Sequence, residues 1–301
     1  MSARSLFGNL SRKDLSPELS RAARWIEGHQ REVALHSMRE CARRAGIAPA
    51  TLTRLSKALG FTGFEALKTL CQEAFTVQAG YVDRAEVLQA NARQSRDWLS
   101  ALNQAQQANT ASVITLNSRD QLEGAADAML AADRVNFLGL RASHGLALHL
   151  HYTYGLLASN GVLVQGLGGT LGDQIGEMGP RDLLVVLSFA PYTQQTVWCA
   201  EQAQRQGVAL LAVTDSALSP VARSAAHVLL YRADSTSYFH STLGALALAE
   251  SLAAAVAVRG GRKVLARLQS RQQRLEREGA YWTGRAEAAA VSRAMTPRRA
   301  S

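Results

Sequence analysis

The chain has 301 residues, 47% of them apolar and 19% charged. It is long enough to bury two cores and too ordinary in composition to be wholly disordered. The net charge of +9 sits at the ends: residues 1–77 hold 12 Lys/Arg against 7 Asp/Glu, residues 261–301 hold 10 against 3, and the middle is close to neutral. That polarity suits ends that touch a polyanion and a centre that handles something small.

Residues 1–14 show no periodicity and read as a flexible arm. Ser16-Pro17 then opens a helix, with Ser as N-cap and Pro at the first helical position. Leu19, Ala22, Ala23 and Ile26 follow at helical spacing. Further helices are expected over 37–45, 49–60 and 64–77, closing an all-α domain at residues 15–77. Residues 78–117 read as a helical linker. From 118 onward strands (134–140, 162–167, 182–189, 208–214, 227–231) alternate with helices (143–159, 193–206, 220–225, 237–258). The run DLLVVLSF at 182–189 is apolar nearly throughout, as strands buried on both faces are. This alternation with short connections predicts an α/β doubly wound parallel sheet over 118–260. Residues 261–301 read as a basic helix to 277 and a disordered tail.

Cys41, Cys71 and Cys199 lie far apart with no CxxC spacing, which predicts a reduced protein with no metal site. Arg4, Arg12 and Lys13 near the N-terminus are followed by no apolar run, so no secretory signal is expected. The alanine-rich stretch 243–258 is interrupted by Glu250 and Ser251 and is too short to span a bilayer. A cytoplasmic protein with no membrane partner is expected.

Within the first domain, Ala42 is small where two helices would cross. Gly46, four residues on, suits the left-handed turn between them. Setting Leu52, Leu55 and Leu59 inward turns Ala50, Thr53, Arg54 and Lys57 outward, and Thr51 joins them as a candidate DNA contact. Arg reads guanine, Lys meets phosphate and Thr serves either. On spacing alone, a helix-turn-helix and an ordinary hairpin with a solvated basic face both remain open.

The run AGIAPATLTRLSKALGFTGF at 45–64, within the longer stretch beginning LSPELSRAARW, resembles the N-terminal domain of RpiR-type transcriptional regulators. The resemblance implies a DNA-binding helix-turn-helix. Ala48 departs from it, standing where the family usually has a Ser N-cap.

Open parallel sheets bind ligands beyond the carboxyl ends of their strands, where helix N-termini favour anions. Two such loops stand out: Gly139-Leu140-Arg141-Ala142-Ser143 and Ser188-Phe189-Ala190-Pro191-Tyr192-Thr193. With AVTDSALSPVARSAAHVLL at 212–230 they resemble the sugar isomerase (SIS) domain of the same regulators. That resemblance implies phosphosugar binding through an S-x-S-G-x-T loop, matched here by Ser188 and Thr193 and broken by Ala190 and Pro191. The ligand site is therefore assigned to Gly139, Arg141, Ser143, Ser188, Tyr192 and Thr193, for a phosphosugar or another small anion.

The glycine-rich 166–170 lacks the residues of a P-loop. His149 and His151 at i,i+2 on a helix point apart. Glu177 is the one conceivable isomerase base, and nothing in the sequence pairs with it. The expectation is a regulator without catalytic residues, metal or cofactor. It binds double-stranded DNA at an inverted repeat as a homodimer or homotetramer. A phosphosugar isomerase with an added helical domain is the alternative.

Overall fold

A computed structural model describes residues 16–78, 80–94 and 97–282; the arm expected at 1–14 and the tail from 283 lie outside them. The chain divides into two compact units. One is the chain up to Gln106 together with Asp234–His240, and the other is Gln107–Ala233 with the chain from Ser241 onward.

In the first unit the helices are α1 (Pro17–Gly28), α2 (Gln30–Leu35), α3 (Met38–Ala45), α4 (Pro49–Ala58), α5 (Phe64–Gln78) and α6 (Tyr81–Gln94). Ser16 Oγ accepts from the Leu19 N–H and Pro17 stands at the first turn, so α1 begins as its sequence predicts. Ala22, Ile26, Cys41, Leu52, Leu55 and Leu67 meet in one fully buried core. Helix α2 was not expected. It carries no readable periodicity over six residues, and it is held by the complete burial of Val33 and Ala34. The chain turns into it at His29, whose ring stacks on Trp25 at 4.8 Å.

After α5, the described residues up to 117 form two helices, α6 and then α7 (Trp98–Leu116), and α7 runs past the point where the chain passes from one unit to the other. Its C-terminal end is stitched into the second unit. The Ser112 hydroxyl accepts from Arg232 N–H, and the Asn117 side chain both donates to Leu230 O and accepts from Leu230 N–H.

The second unit continues with α8 (Arg119–Ala131), β1 (Val135–Leu138), α9 (His144–Leu157), β2 (Gly161–Val164), α10 (Leu171–Gly176), β3 (Leu183–Ser188), α11 (Gln194–Arg205), β4 (Ala209–Thr214), β5 (His227–Leu230), α12 (Leu243–Arg259) and α13 (Gly261–Arg277). The five strands are all parallel, in the order β2-β1-β3-β4-β5. One face, through Leu138, Leu184, Val186, Leu210 and Ala212, packs on α10 and α11. Alternate residues such as Phe137 face the other way, where Phe137 meets Tyr154 and His151 of α9. Helix α12 buries Ala245, Leu248, Ala249 and Leu252 and packs on α8 and α9 of its own unit.

Two expected helices differ. In place of the helix expected at 220–225, residues 220–224 form consecutive turns, with the Ser219 hydroxyl accepting from Ala222 N–H. The helix expected from 237 starts at Leu243, because 234–240 belongs to the first unit. There Arg84, 3% exposed, donates to the carbonyls of Ser235 and Ser237 and to the His240 ring. Among the described residues no single helix is long and apolar enough to cross a membrane.

Candidate functional site

The first site is the turn between α3 and α4. Gly46 takes φ +64°, ψ 37°, and its N–H closes α3 on the carbonyls of Ala42 and Arg43. This left-handed conformation suits a residue without Cβ. Ala48 then sits at the N-cap with extended backbone and no side-chain bond. Leu52 and Leu55 face inward, and Ala50, Arg54 and Lys57 are exposed. Neither Arg54 nor Lys57 forms an ion pair among the described residues.

Two threonines behave differently from the basic pair. Thr53 is half-buried, its hydroxyl 3.3 Å from Met38 Sδ. Thr51 corrects the expectation that it faces outward: it is buried and its hydroxyl donates to Glu18 Oε1 at 2.7 Å. It lies one helical turn before Leu55, on the buried side, and ties α4 to α1. On α3, Arg43 and Arg44 both bond Glu40 and hold its carboxyl down to about 2.

The second site follows from strand order, which the sequence could not supply. β1 and β3 are neighbours, and their following helices leave to opposite faces. Such a reversal opens a crevice at the carboxyl ends of the strands. Gly139, Arg141 and Ser143 lie in the loop leaving β1, and Ser188, Tyr192 and Thr193 at the end of β3 and in its loop. All six predicted residues therefore sit on this edge.

Gly139 is there for space: a Cβ would lie 2.3 Å from the Ser143 carbonyl oxygen. Arg141 takes φ +53°, the one non-glycine residue with positive φ among the described residues. Its side chain is exposed and has no ion pair among the described residues. Ser143 and Ser188 are buried, and Thr193 caps α11 by position without a side-chain hydrogen bond. The Ala190-Pro191 bond is cis.

A residue outside the predicted set joins them. Asp215 follows β4, and its carboxylate accepts from Ala190 N–H (3.2 Å), the Tyr192 hydroxyl (3.0 Å) and the Thr214 hydroxyl (3.3 Å). Burial and then the Asp215 charge push the Tyr192 phenol well above its usual range. Tyr231, just past β5, is 1% exposed. Its hydroxyl has no hydrogen-bond partner among the described residues. The carboxyl-end rule, applied to the strand expected at 208–214, points to Asp215; its contact with the β3 loop needs the adjacency of β3 and β4.

The weaker candidates lie elsewhere or are engaged. Glu177 is at the opposite edge of the sheet, where its carbonyl accepts from Arg134, just ahead of β1. The glycines after β2 make a strand–helix turn, with Gly166 N–H on Gln174 Oε1. His149 lies 3.9 Å from Glu250, and His151 meets the Phe137 ring edge-on. No group of side chains suited to a metal occurs among the described residues.

Comparison with known proteins follows the same division. Residues 10–77 match a helix-turn-helix domain of the rpiR family, and residues 128–257 match a SIS domain. The HTH-type transcriptional regulator HexR of Pseudomonas aeruginosa is 25% identical over 222 residues, covering 70% of this chain and 72% of that protein. The sugar isomerase domain of an RpiR transcription factor from Sphaerobacter thermophilus is 27% identical with a TM-score of 0.56, covering 59% of this chain and 99% of that one. The Vibrio vulnificus NanR protein, complexed with ManNAc-6P, shares the fold at 17% identity with a TM-score of 0.55, over 90% of this chain and 97% of that one. With an rpiR-family helix-turn-helix ahead of a SIS domain on a parallel five-stranded sheet, the chain belongs to the RpiR-type transcriptional regulators.

Proposed function

We propose that α4 enters the major groove of an inverted-repeat operator and that the crevice between β1 and β3 takes a small anionic metabolite that alters operator affinity. Ala50, Thr53, Arg54 and Lys57 are the residues assigned to DNA. The two exposed cations on α4, without an ion pair among the described residues and directly after a left-handed turn, carry the DNA half. Arg54→Ala is expected to cost about 1–3 kcal/mol and to relax sequence preference. Lys57→Ala is expected to weaken all sequences alike and flatten the salt dependence. Footprints and salt titrations of the two variants test this assignment, and wild-type binding by Arg54→Ala would refute it.

The effector half rests on Arg141. A guanidinium in a left-handed backbone position at a topological switch point, exposed and without an ion pair among the described residues, is placed to meet phosphate or carboxylate in bidentate fashion. NanR, on the same fold, is complexed with ManNAc-6P. Arg141→Ala is expected to abolish the ligand's effect on DNA while leaving ligand-free DNA affinity intact. A neutral sugar that binds best, and binds Arg141→Ala equally well, would refute the anion.

One helix-turn-helix reads few base pairs, so the reading includes a dimer whose two α4 helices meet half-sites about 34 Å apart. Light scattering without DNA checks it. No catalysis is assigned: Glu177, the one candidate base, lies on the edge away from the crevice.

A further inference from the structure

The seven residues Asp234–His240 belong to the first unit, while the residues on either side of them belong to the second. The excursion leaves and returns through a narrow neck, where Ser241 N–H donates to the Ala233 carbonyl at 3.2 Å. The neck is fixed from two directions. Arg232 N–H donates to the Ser112 hydroxyl at 3.0 Å, and a Cβ at Gly244 would lie 2.4 Å from the Arg232 carbonyl oxygen.

This neck stands on the sheet edge that carries the effector crevice. Just past β5, Tyr231 N–H donates to the Thr214 carbonyl at the end of β4, at 3.1 Å. The next residue of that strand's exit, Asp215, holds the β3 loop through Ala190 N–H and the Tyr192 hydroxyl. Only Tyr231–Ala233 separate β5 from the segment, and only Ser241 and Thr242 separate the segment from α12. At no more than about 3.3–3.6 Å per residue, such tethers leave little slack.

The first turn of α6 grips the segment. Tyr81 stacks on Phe239 with ring centroids 5.5 Å apart. Arg84 is 3% exposed, and every hydrogen bond its guanidinium makes among the described residues goes to this segment. It donates to Ser235 O at 3.4 Å, Ser237 O at 3.2 Å and the His240 ring at 2.8 Å. Burying a guanidinium is costly, so a loop that needed only a cover would be met by apolar side chains. Helix α6 in turn packs on α2, whose Val33 shares a core with Leu52 and Leu55 of α4. All these contacts lie inside the first unit, and the chain itself joins them to the second.

We infer that this clasp is the element through which an effector in the crevice changes operator affinity. Coupling between two sites needs an element whose arrangement both of them bias. The segment meets that condition, because its ends are set by the sheet edge and its middle by α6. The inference rests on the DNA and effector sites proposed above and adds what links them.

The test uses the full-length protein, an operator fragment found by footprinting, and a panel of five- and six-carbon sugar phosphates with inorganic phosphate as the minimal anion. At least one sugar phosphate is expected to change the wild-type operator Kd about tenfold, and the operator changes that ligand's Kd by the same factor. In Arg84→Ala and in Tyr81→Ala both factors are expected to fall below about twofold, with each separate affinity within about threefold of wild type. Tyr81 is half exposed, so its variant decides the matter where Arg84→Ala fails to fold.

A folded variant that keeps the wild-type factor would overturn the clasp and leave both sites standing. A variant that loses sugar-phosphate binding itself would overturn it too, by making these contacts part of the ligand site. If no member of the panel moves wild-type operator affinity, the effector reading falls and the clasp with it. That failure shows in the wild type, and the other two show only in the variants.

Discussion

Gly139 shows how a single atom can govern a site. The β1 loop folds back so closely that a methyl group would collide with the Ser143 carbonyl, and Ala147 Cβ stands 3.1 Å from the same point. Gly139→Ala is expected to cost about 1–3 kcal/mol through overpacking and to displace Arg141. Denaturant melts and ligand titration measure the two effects separately. The cysteines make the opposite case, residues whose chemistry is suppressed. Burial pushes Cys41 and Cys199 up to about 11 and Cys71 up to about 12. The thiolate is the reactive form, so all three are expected to resist alkylation at pH 8 and to react on unfolding. Rapid modification of folded protein would contradict that.

Helices α3 and α4 differ in how their ends are finished, and each makes a prediction. Ser37 caps α3 by accepting from Glu40 N–H, whereas Ala48 leaves α4 without a side-chain cap although its backbone, at φ −71°, ψ 142°, is shaped for one. Ala48→Ser is expected to stabilise the protein by about 1 kcal/mol, read as a raised denaturation midpoint. On α3 the Arg43 and Arg44 guanidiniums lower the Glu40 carboxyl from 4.5 to about 2. A depressed carboxylate contributes its stability in full above its unfolded value and loses it as pH falls through the folded one. The loss therefore falls between pH 4.5 and about 2. Side-chain NMR is expected to place the Glu40 midpoint near 2, and a midpoint at 4.5 would show the pairs are not formed.

At the scale of the whole molecule, the chain leaves the second unit after Ala233, contributes Asp234–His240 to the first, and returns at Ser241. Arg84 holds that segment through two carbonyls and an imidazole, and burial lowers its own pKa. Arg84→Ala would take the donor from two half-buried carbonyls, at about 1 kcal/mol. A fragment ending at Gln106 lacks the segment altogether. Its α6 amides are expected to exchange faster with solvent than the same amides in the full chain, and equal protection would show the segment contributes nothing.

The amino-acid sequence by itself determined what depends on neighbours along the chain. Apolar runs marked the five strands, and Ser16-Pro17, Gly46 and the Leu52/Leu55 spacing marked the helices and turn of the first domain. The loops after β1 and β3 carried their hydroxyls and Arg141 in plain view. Tertiary structure alone decided what depends on distant partners. Helix α2 exists because Val33 and Ala34 are buried, and the Thr51 hydroxyl finds its acceptor in Glu18, 33 residues away in sequence and 2.7 Å away in space. The order β2-β1-β3-β4-β5 brings Asp215 to the Ala190 N–H, 25 positions earlier. Local pattern encodes conformation, but a site is made of side chains from separate strands, and their meeting is set by packing across the sheet.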